Sequence, residues 1–192
     1  MQGDLAVTGE PEADHLLNTD PLALLVGMLL DQQVPMEWAF SSPRRLQERL
    51  GGSFEAAAIA AMPLDELEAA FTGPPALHRF PRSMAARTQQ LCQHLAEHHG
   101  GDAEAVWRGV DDGHELLRRL LDLPGFGSEK ARIFLALLAK RFGIAPAGWE
   151  EAAAPFSDEQ RRSVADVDSA DALAEVRAFK KVKKAEGKGK DG

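Results

Sequence analysis

The chain has little of what a disulfide-bonded or sheet-rich protein needs. Cys92 is its single cysteine, so neither an internal disulfide nor a four-cysteine iron–sulfur cluster can form. Tyrosine is absent, and no segment alternates apolar and polar residues over the length of a strand. Because aromatic residues favour strands, their scarcity indicates a protein made almost entirely of helices.

Sequence signals for a membrane, a secretory route or a metal are missing as well. Residues 1–4 contain no basic stretch followed by an apolar run, as a signal peptide would require. The most apolar segment, 22–30, is too short to span a bilayer. The six histidines have no metal-ligand spacing. We therefore expect a cytoplasmic protein with no membrane partner and no metal.

Negative charge dominates the chain, but its positive residues are clustered. The net charge is −8, whereas residues 114–142 carry a net +3 and residues 176–192 a net +5, which leaves −16 for the rest. Binding to a polyanion depends on where the cations lie more than on the total charge. This distribution predicts a protein that contacts a polyanion with one face and does not coat it.

The segment 121–131, LDLPGFGSEKA, predicts two helices joined by a tight turn. Gly125 and Gly127 allow backbone conformations that a side chain would forbid. Such a turn exposes backbone N–H groups at the start of the second helix, where the helix dipole favours a phosphate. Lys130 and Arg132 add positive charge nearby. The same pattern also occurs as a plain connector between packed helices, which is the alternative interpretation.

Two further motifs precede this turn. Residues 24–36, LLVGMLLDQQVPM, form an apolar helix that ends in Gln32 and Gln33, and residues 80–87, FPRSMAAR, precede an amphipathic helix. In this order and spacing, the three motifs resemble the HhH-GPD superfamily of base-excision DNA glycosylases. The Gln-Gln helix resembles the alkyl-adenine branch of that superfamily. The resemblance covers roughly residues 20–145.

The resemblance implies an all-α, two-lobed HhH-GPD glycosylase-like fold with a helix-hairpin-helix. We predict a loose leader over 1–19, with docking of the apolar residues 5–7 against the body as the alternative. A helical domain over 20–178, with the hairpin at 121–131, and a disordered basic tail over 179–192 should follow. The implied partner is double-stranded DNA, bound by a nucleoid-associated monomer. No cofactor is expected, apart from a monovalent cation that the hairpin carbonyls could hold when DNA is bound.

The residues expected to contact DNA come from the hairpin and the Gln-Gln helix. They are Gln32, Gln33, Gly125, Phe126, Gly127, Ser128, Lys130 and Arg132. Amide side chains can reach a base edge or the backbone, although a helix end could equally bond to a neighbouring loop. Trp38 and Trp149 are predicted to line the pocket for an extruded base, with a core position as the alternative.

The hairpin departs from that of bifunctional family members. These enzymes place a lysine two residues after the second hairpin glycine, where it attacks the sugar and forms a Schiff base. Glu129 occupies that position here. Lys130 comes one residue later, about 100° further around the helix. We therefore predict no lyase activity by that route and a phosphate-facing role for Lys130.

The family's catalytic aspartate falls in the window 144–151, which contains no aspartate. Glu150 is the predicted substitute, with a solvated glutamate in the first turn of a helix as the alternative. Asp31, Asp166 and Asp168 are the fallback carboxylates.

Two functions follow from the resemblance. The first is a monofunctional glycosylase that hydrolyses the N-glycosidic bond of a damaged base flipped out of duplex DNA. The second is a catalytically inactive helix-hairpin-helix module that only binds DNA. A helical adaptor with no nucleic-acid role is a third interpretation. Alkylated purines follow only from the Gln-Gln branch, so uracil and oxidised bases stay open as substrates.

Overall fold

A computed structural model of the chain describes residues 1–188, without the side chains of residues 184 and 186–188. Its α-helices are α1 (Pro11–Thr19), α2 (Pro21–Leu30), α3 (Met36–Arg49), α4 (Ala56–Ala61), α5 (Leu64–Thr72), α6 (Pro81–His99), α7 (Gly113–Leu121), α8 (Ser128–Phe142), α9 (Trp149–Ala152) and α10 (Ala170–Lys188). Two 3₁₀ turns, Ala103–Val106 and Val164–Asp166, complete the regular structure. Over the described part of the chain there is no strand, which confirms the all-α class.

The fold is built around α2. The Asp20 carboxylate accepts hydrogen bonds from the N–H groups of Leu22 and Ala23 and so caps the helix, and Pro21 provides its first residue. Residues 22–30 are all buried, because α1, α3, α6 and the turn Ala103–Val106 pack against α2. In residues 1–188, no helix combines the length and the hydropathy needed to cross a bilayer.

The other helices form two groups on either side of a cleft. In the first group, α1 and α3 pack against α2, while α4 and α5 pack against α6. In the second group, α8 packs against α7, α9 and the 3₁₀ turn Val164–Asp166, and α10 packs against that turn. This arrangement places the end of α2 opposite the start of α8.

The hairpin between α7 and α8 is fitted closely to α2. Gly125 has a φ of +83°, and a Cβ at this position would lie 2.4 Å from Leu29 Cδ1. Gly125 is therefore required both by the turn and by the approach to α2. Gly127 has a φ of −77°, and a Cβ there would meet nothing within 4 Å. The fold itself does not require a glycine at position 127.

The predicted loose leader is ordered in the structure. Leu5 and Val7 are buried in the core, and residues 11–19 form α1. The buried Asn18 side chain accepts from the N–H of Leu5 and donates to its carbonyl, which fixes this segment along α1. Docking of residues 5–7 against the body, which the sequence allowed as an alternative to a loose leader, is what the structure shows.

The predicted disordered tail is also helical where the structure describes it. Residues 179–188 continue α10, and residues 189–192 lie outside the described part of the chain. Ala172, Leu173 and Val176 anchor the start of this helix in the core. Lysine and alanine are good helix formers, so an anchored helix can propagate through this sequence.

Candidate active-site cleft

A cleft of about 880 Å³ lies between the end of α2, the start of α8, the segment 155–164 and α10. Its charged lining consists of four cations and two acids: Lys130, Arg162, Lys180, Lys183, Asp31 and Glu129. Gln32, Gln33, Gly127 and Ser128 from the two motifs also line it. The excess of positive charge and the concave shape suit an anionic ligand that inserts a group between the two lobes.

Asp31, at the end of α2, is a carboxylate that lines the cleft. It is the C-terminal cap residue of the helix, and its side chain is only 13% exposed. Burial raises the pKa of this carboxyl above its usual range, while the positive charges of Lys180 and Lys130 oppose the shift. Lys180 Nζ lies 4.0 Å from Asp31 Oδ2.

Lys130 is directed into the cleft as well, and its phosphate-facing role stays a prediction. Its Nζ donates a 2.8 Å hydrogen bond to the carbonyl of Leu29, in the last turn of α2. Burial lowers the pKa of Lys130 to about 8, the negative charge of Asp31 opposes the shift, and Arg87 adds to it. Position 130 therefore lies on the side of α8 that faces α2.

The Gln-Gln segment is held by side chains of α6 and of the loop before it. Gln32 Nε2 donates to the carbonyl of Leu29 at 2.9 Å, and Gln32 Oε1 accepts from Arg87 at 3.1 Å. The backbone carbonyl of Gln32 lies 3.0 Å from Nε2 of the buried His78. Gln33 is exposed, has a φ of +57° and lines the cleft.

His78 is held as one tautomer. Its Nδ1 accepts the N–H of Phe80 at 3.0 Å, so the ring proton is on Nε2, which donates to Gln32. Burial lowers the pKa of His78. The same loop presents Phe80, which is 43% exposed with the Arg79 guanidinium 5.3 Å from its ring centroid. The FPRSMAAR motif marked this segment, but nothing local in it indicated which side chain is presented.

The two tryptophans predicted for a base pocket do not line this cleft. Trp38 Nε1 donates to the carbonyl of Ala76 at 3.2 Å, and Trp149 packs against the core. The aromatic residues that do line the cleft are Phe156 and Phe179. Sequence reasoning missed both because they lie outside the recognised motifs, and only the fold brings them to α2 and α8.

Phe126 was predicted to contact DNA, but its side chain is buried in the structure. It is 4% exposed and packs edge-on against Phe134, with ring centroids 5.7 Å apart. Gly127 and Ser128, in contrast, are exposed at the start of α8 and line the cleft. Arg132 is exposed on α8 but does not line it.

Of the four candidate carboxylates, only Asp31 lines the cleft. Glu150 is exposed on α9 and does not contribute to the lining. Asp166 is buried, accepts from the Ser163 hydroxyl and pairs with Lys140 at 2.6 Å, so it fastens the 3₁₀ turn. Asp168 pairs with Arg141 at 3.1 Å. Within residues 1–188, no cluster of three or more His, Cys, Asp or Glu residues could hold a metal ion.

The comparison with protein families agrees with this geometry. The sequence model of the HhH-GPD superfamily base excision DNA repair proteins matches residues 26–189, which include the Gln-Gln segment, the hairpin and all the lining of the cleft. The chain therefore belongs to the HhH-GPD superfamily, a family of base excision DNA repair proteins that act on DNA. Searches of curated proteins and of solved structures give no match.

Proposed function

We propose that the protein is a DNA glycosylase that hydrolyses the N-glycosidic bond of a damaged base extruded from duplex DNA. The observation that carries this proposal is the position of Asp31, a carboxylate that is only 13% exposed and lies between the hairpin and α10 in a cationic cleft. A volume of about 880 Å³ is enough for an extruded nucleotide. Phe156 and Phe179 provide apolar surface on which a base can stack.

The hairpin supplies the contact with the DNA backbone in this mechanism. The N-cap of α8 is Gly127, which has no side chain to occupy the first N–H groups of the helix. These groups and the positive end of the helix dipole favour a phosphate. Because the space beside Gly127 is open, a phosphate can approach the backbone closely.

Asp31 supplies the electrostatic step. As the base departs, positive charge develops on the sugar, and a carboxylate in a poorly solvated site stabilises that charge more strongly than water does. Lys130 and Lys180 favour the ionised form of Asp31 against the effect of burial. The same carboxylate can orient the attacking water and accept its proton as the water oxygen bonds to C1′ of the sugar. The base leaves with the electrons of the glycosidic bond and takes up a proton, which balances the proton that the water loses.

The test is base release from duplexes that each contain one uracil, hypoxanthine, alkylated purine, oxidised guanine or mismatch. We expect release from at least one duplex, and its loss in Asp31→Asn. Glu150→Gln is the matched control, because it makes the same change from carboxylate to amide outside the cleft. Release that is lost in Glu150→Gln but not in Asp31→Asn would reverse the assignment. No release from any duplex, with salt-dependent binding retained, would favour the non-catalytic module.

A second candidate activity, cleavage of the abasic strand, rests on Lys130. An amine with a pKa of about 8 is partly neutral at physiological pH and can attack the C1′ aldehyde of an abasic sugar. Loss of water gives an imine, and β-elimination then expels the 3′ phosphate. Borohydride would trap the imine as a covalent complex in the wild type and in Lys181→Gln, but not in Lys130→Gln. Trapping that survives Lys130→Gln would exclude this residue as the nucleophile.

A further inference from the structure

The inner face of α10 changes character along the helix. Ala172, Leu173 and Val176 are buried in the core. At about 100° per residue, Lys180 and Lys183 fall on the same face, within an arc of about 120°. The face that packs as apolar core at the start of α10 therefore continues as lysine where the helix passes the cleft.

This lysine-bearing face is part of the cleft wall. Phe179, Lys180 and Lys183 all line the cleft. Lys180 Nζ lies 4.0 Å from Asp31, and Lys183 Nζ lies 5.9 Å from the ring centroid of Phe179. Both ammonium groups are thus directed toward the space between α10 and α8.

Lys180 and Lys183 differ from Lys181 in direction and not in exposure. All three side chains are exposed, but Lys180 and Lys183 line the cleft, whereas Lys181 lies on the outer side of the helix. Because Lys130 and Arg162 line the same cleft, the two lysines of α10 extend a positively charged wall that favours an anionic ligand. The start of α8 faces the same cleft and favours an anion for a separate reason.

We infer that the inner face of α10 binds phosphates of the DNA strand that carries the extruded nucleotide. The strand is then held from two sides, by the hairpin at the start of α8 and by Lys180 and Lys183 on α10. Counterion release from the contacted phosphates makes both lysines contribute to the salt dependence of binding. The inference rests on the proposed function for the position of the nucleotide, but it does not require that the base be released.

The first test measures the affinity of the full chain for a duplex containing a stable abasic-site analogue, over a range of salt concentrations. The slope of log K against log salt should fall by about 0.9 in Lys180→Gln and again in Lys183→Gln. Lys181→Gln, with the same charge change one position along the helix, should leave the slope unchanged. Equal slopes in all three variants and the wild type would overturn the inference, as would an equal loss in Lys181→Gln.

The second test locates the strand without depending on affinity. The native Cys92 is fully buried, and burial raises the pKa of its thiol to about 12, so an introduced cysteine is the reactive one. In Lys183→Cys, the thiolate attacks a mixed disulfide tethered to a phosphate beside the abasic site and releases the small thiol. We expect cross-linking for Lys183→Cys and little for Lys181→Cys. Equal yields for the two variants would place the strand elsewhere.

These outcomes separate the two proposals. Reduced salt slopes together with no base release from any duplex would support the α10 surface and count against the glycosylase. Base release with unchanged slopes and no cross-link would support the glycosylase and remove the α10 surface.

Discussion

Lys130 Nζ, at the start of α8, donates a 2.8 Å hydrogen bond to the carbonyl of Leu29, in the last turn of α2. The two residues are 101 positions apart in the sequence. The bond joins the hairpin to the Gln-Gln helix at the cleft and places a cation at the negative end of the α2 dipole. The cleft is therefore assembled from two distant motifs through an ammonium group that is largely removed from water.

Replacing Lys130 should stabilise the fold at neutral pH. The pKa of Lys130 is about 8 in the folded protein and 10.5 without the protein environment, so burial of the ammonium costs stability. The cost is full below pH 8 and disappears as the pH rises toward 10.5, because the folded state then releases its proton. After loss of the hydrogen bond is subtracted, Lys130→Met should gain about 2 kcal/mol at pH 7.

Urea unfolding at pH 7 and pH 10 measures this difference, with Lys181→Met as the exposed control. The gain for Lys130→Met should be smaller at pH 10, and the control should show no gain at either pH. A Lys130→Met protein less stable than the wild type at pH 7 would mean that the ammonium is well satisfied where it lies.

The two hairpin glycines should respond in opposite ways to alanine. Gly125→Ala forces a side chain into a φ of +83° and to 2.4 Å from Leu29 Cδ1, so we expect a loss of about 2–3 kcal/mol in stability. Gly127→Ala enters open space at a φ of −77° and should leave stability unchanged or raise it by about 0.5 kcal/mol. Thermal unfolding compares the two variants.

The affinity of Gly127→Ala for DNA tests whether the hairpin contacts DNA, separately from its role in the fold. Because Gly127→Ala places a methyl group where a phosphate is proposed to approach, it should weaken binding in a fully folded protein. Unchanged affinity in Gly127→Ala would favour the plain helical connector and count against the hairpin as a DNA contact.

The sequence allowed prediction of the elements whose signals are local. The Gly-x-Gly turn, the apolar helix α2 and the all-α class depend on residues close together in the chain, and each was found. Gln32 and Gln33 were predicted to end that helix, but α2 ends at Leu30 and both glutamines lie in the loop after it. The Asp31 site was harder, because its significance comes from Lys130 and Lys180, which only the fold brings close. Glu150 was favoured by its spacing from the hairpin, yet α9 leaves it exposed and away from the cleft lining.

His78 should make stability sensitive to acid. Burial lowers its pKa in the folded protein below the usual 6.5, so the unfolded chain takes up a proton first as the pH falls. The free energy of unfolding therefore has its full value above about pH 6.5. It decreases as the pH falls through that value toward the pKa of His78 in the folded protein. His94 and His99 also have lowered pKa values, so they contribute in the same direction.

Two variants measure how much of this loss of stability in acid is due to His78. His78→Gln removes the titration and keeps an amide donor for the Gln32 carbonyl, so its stability should fall less between pH 7 and pH 5 than that of the wild type. His78→Ala also loses the hydrogen bonds and should be about 2 kcal/mol less stable at pH 7. Equal acid sensitivity in His78→Gln and the wild type would assign the effect to the other histidines.

Asp166 should support the stability of the fold, whereas Asp31 should support base release. Asp166 is 7% exposed and paired with Lys140, so Asp166→Asn removes the counter-ion of a half-buried cation that keeps only its hydrogen bond to the Asp158 carbonyl, and it should cost about 3 kcal/mol. Asp31 has a raised pKa, which means that its ionised form destabilises the fold as the pH rises through that pKa. Asp31→Asn should therefore be as stable as the wild type at pH 7, or more so.

The effects of the two substitutions on base release should be the reverse of their effects on stability. Asp31→Asn is expected to lose base release, and Asp166→Asn is expected to retain it at a temperature where it is folded. In the wild type, release should decline as the pH falls through the pKa of Asp31, at a pH higher than 3.8 because burial raises that pKa. Chemical denaturation and base release, measured on the same preparations across the pH range, compare the two properties. Unimpaired base release by Asp31→Asn would mean that another group stabilises the sugar.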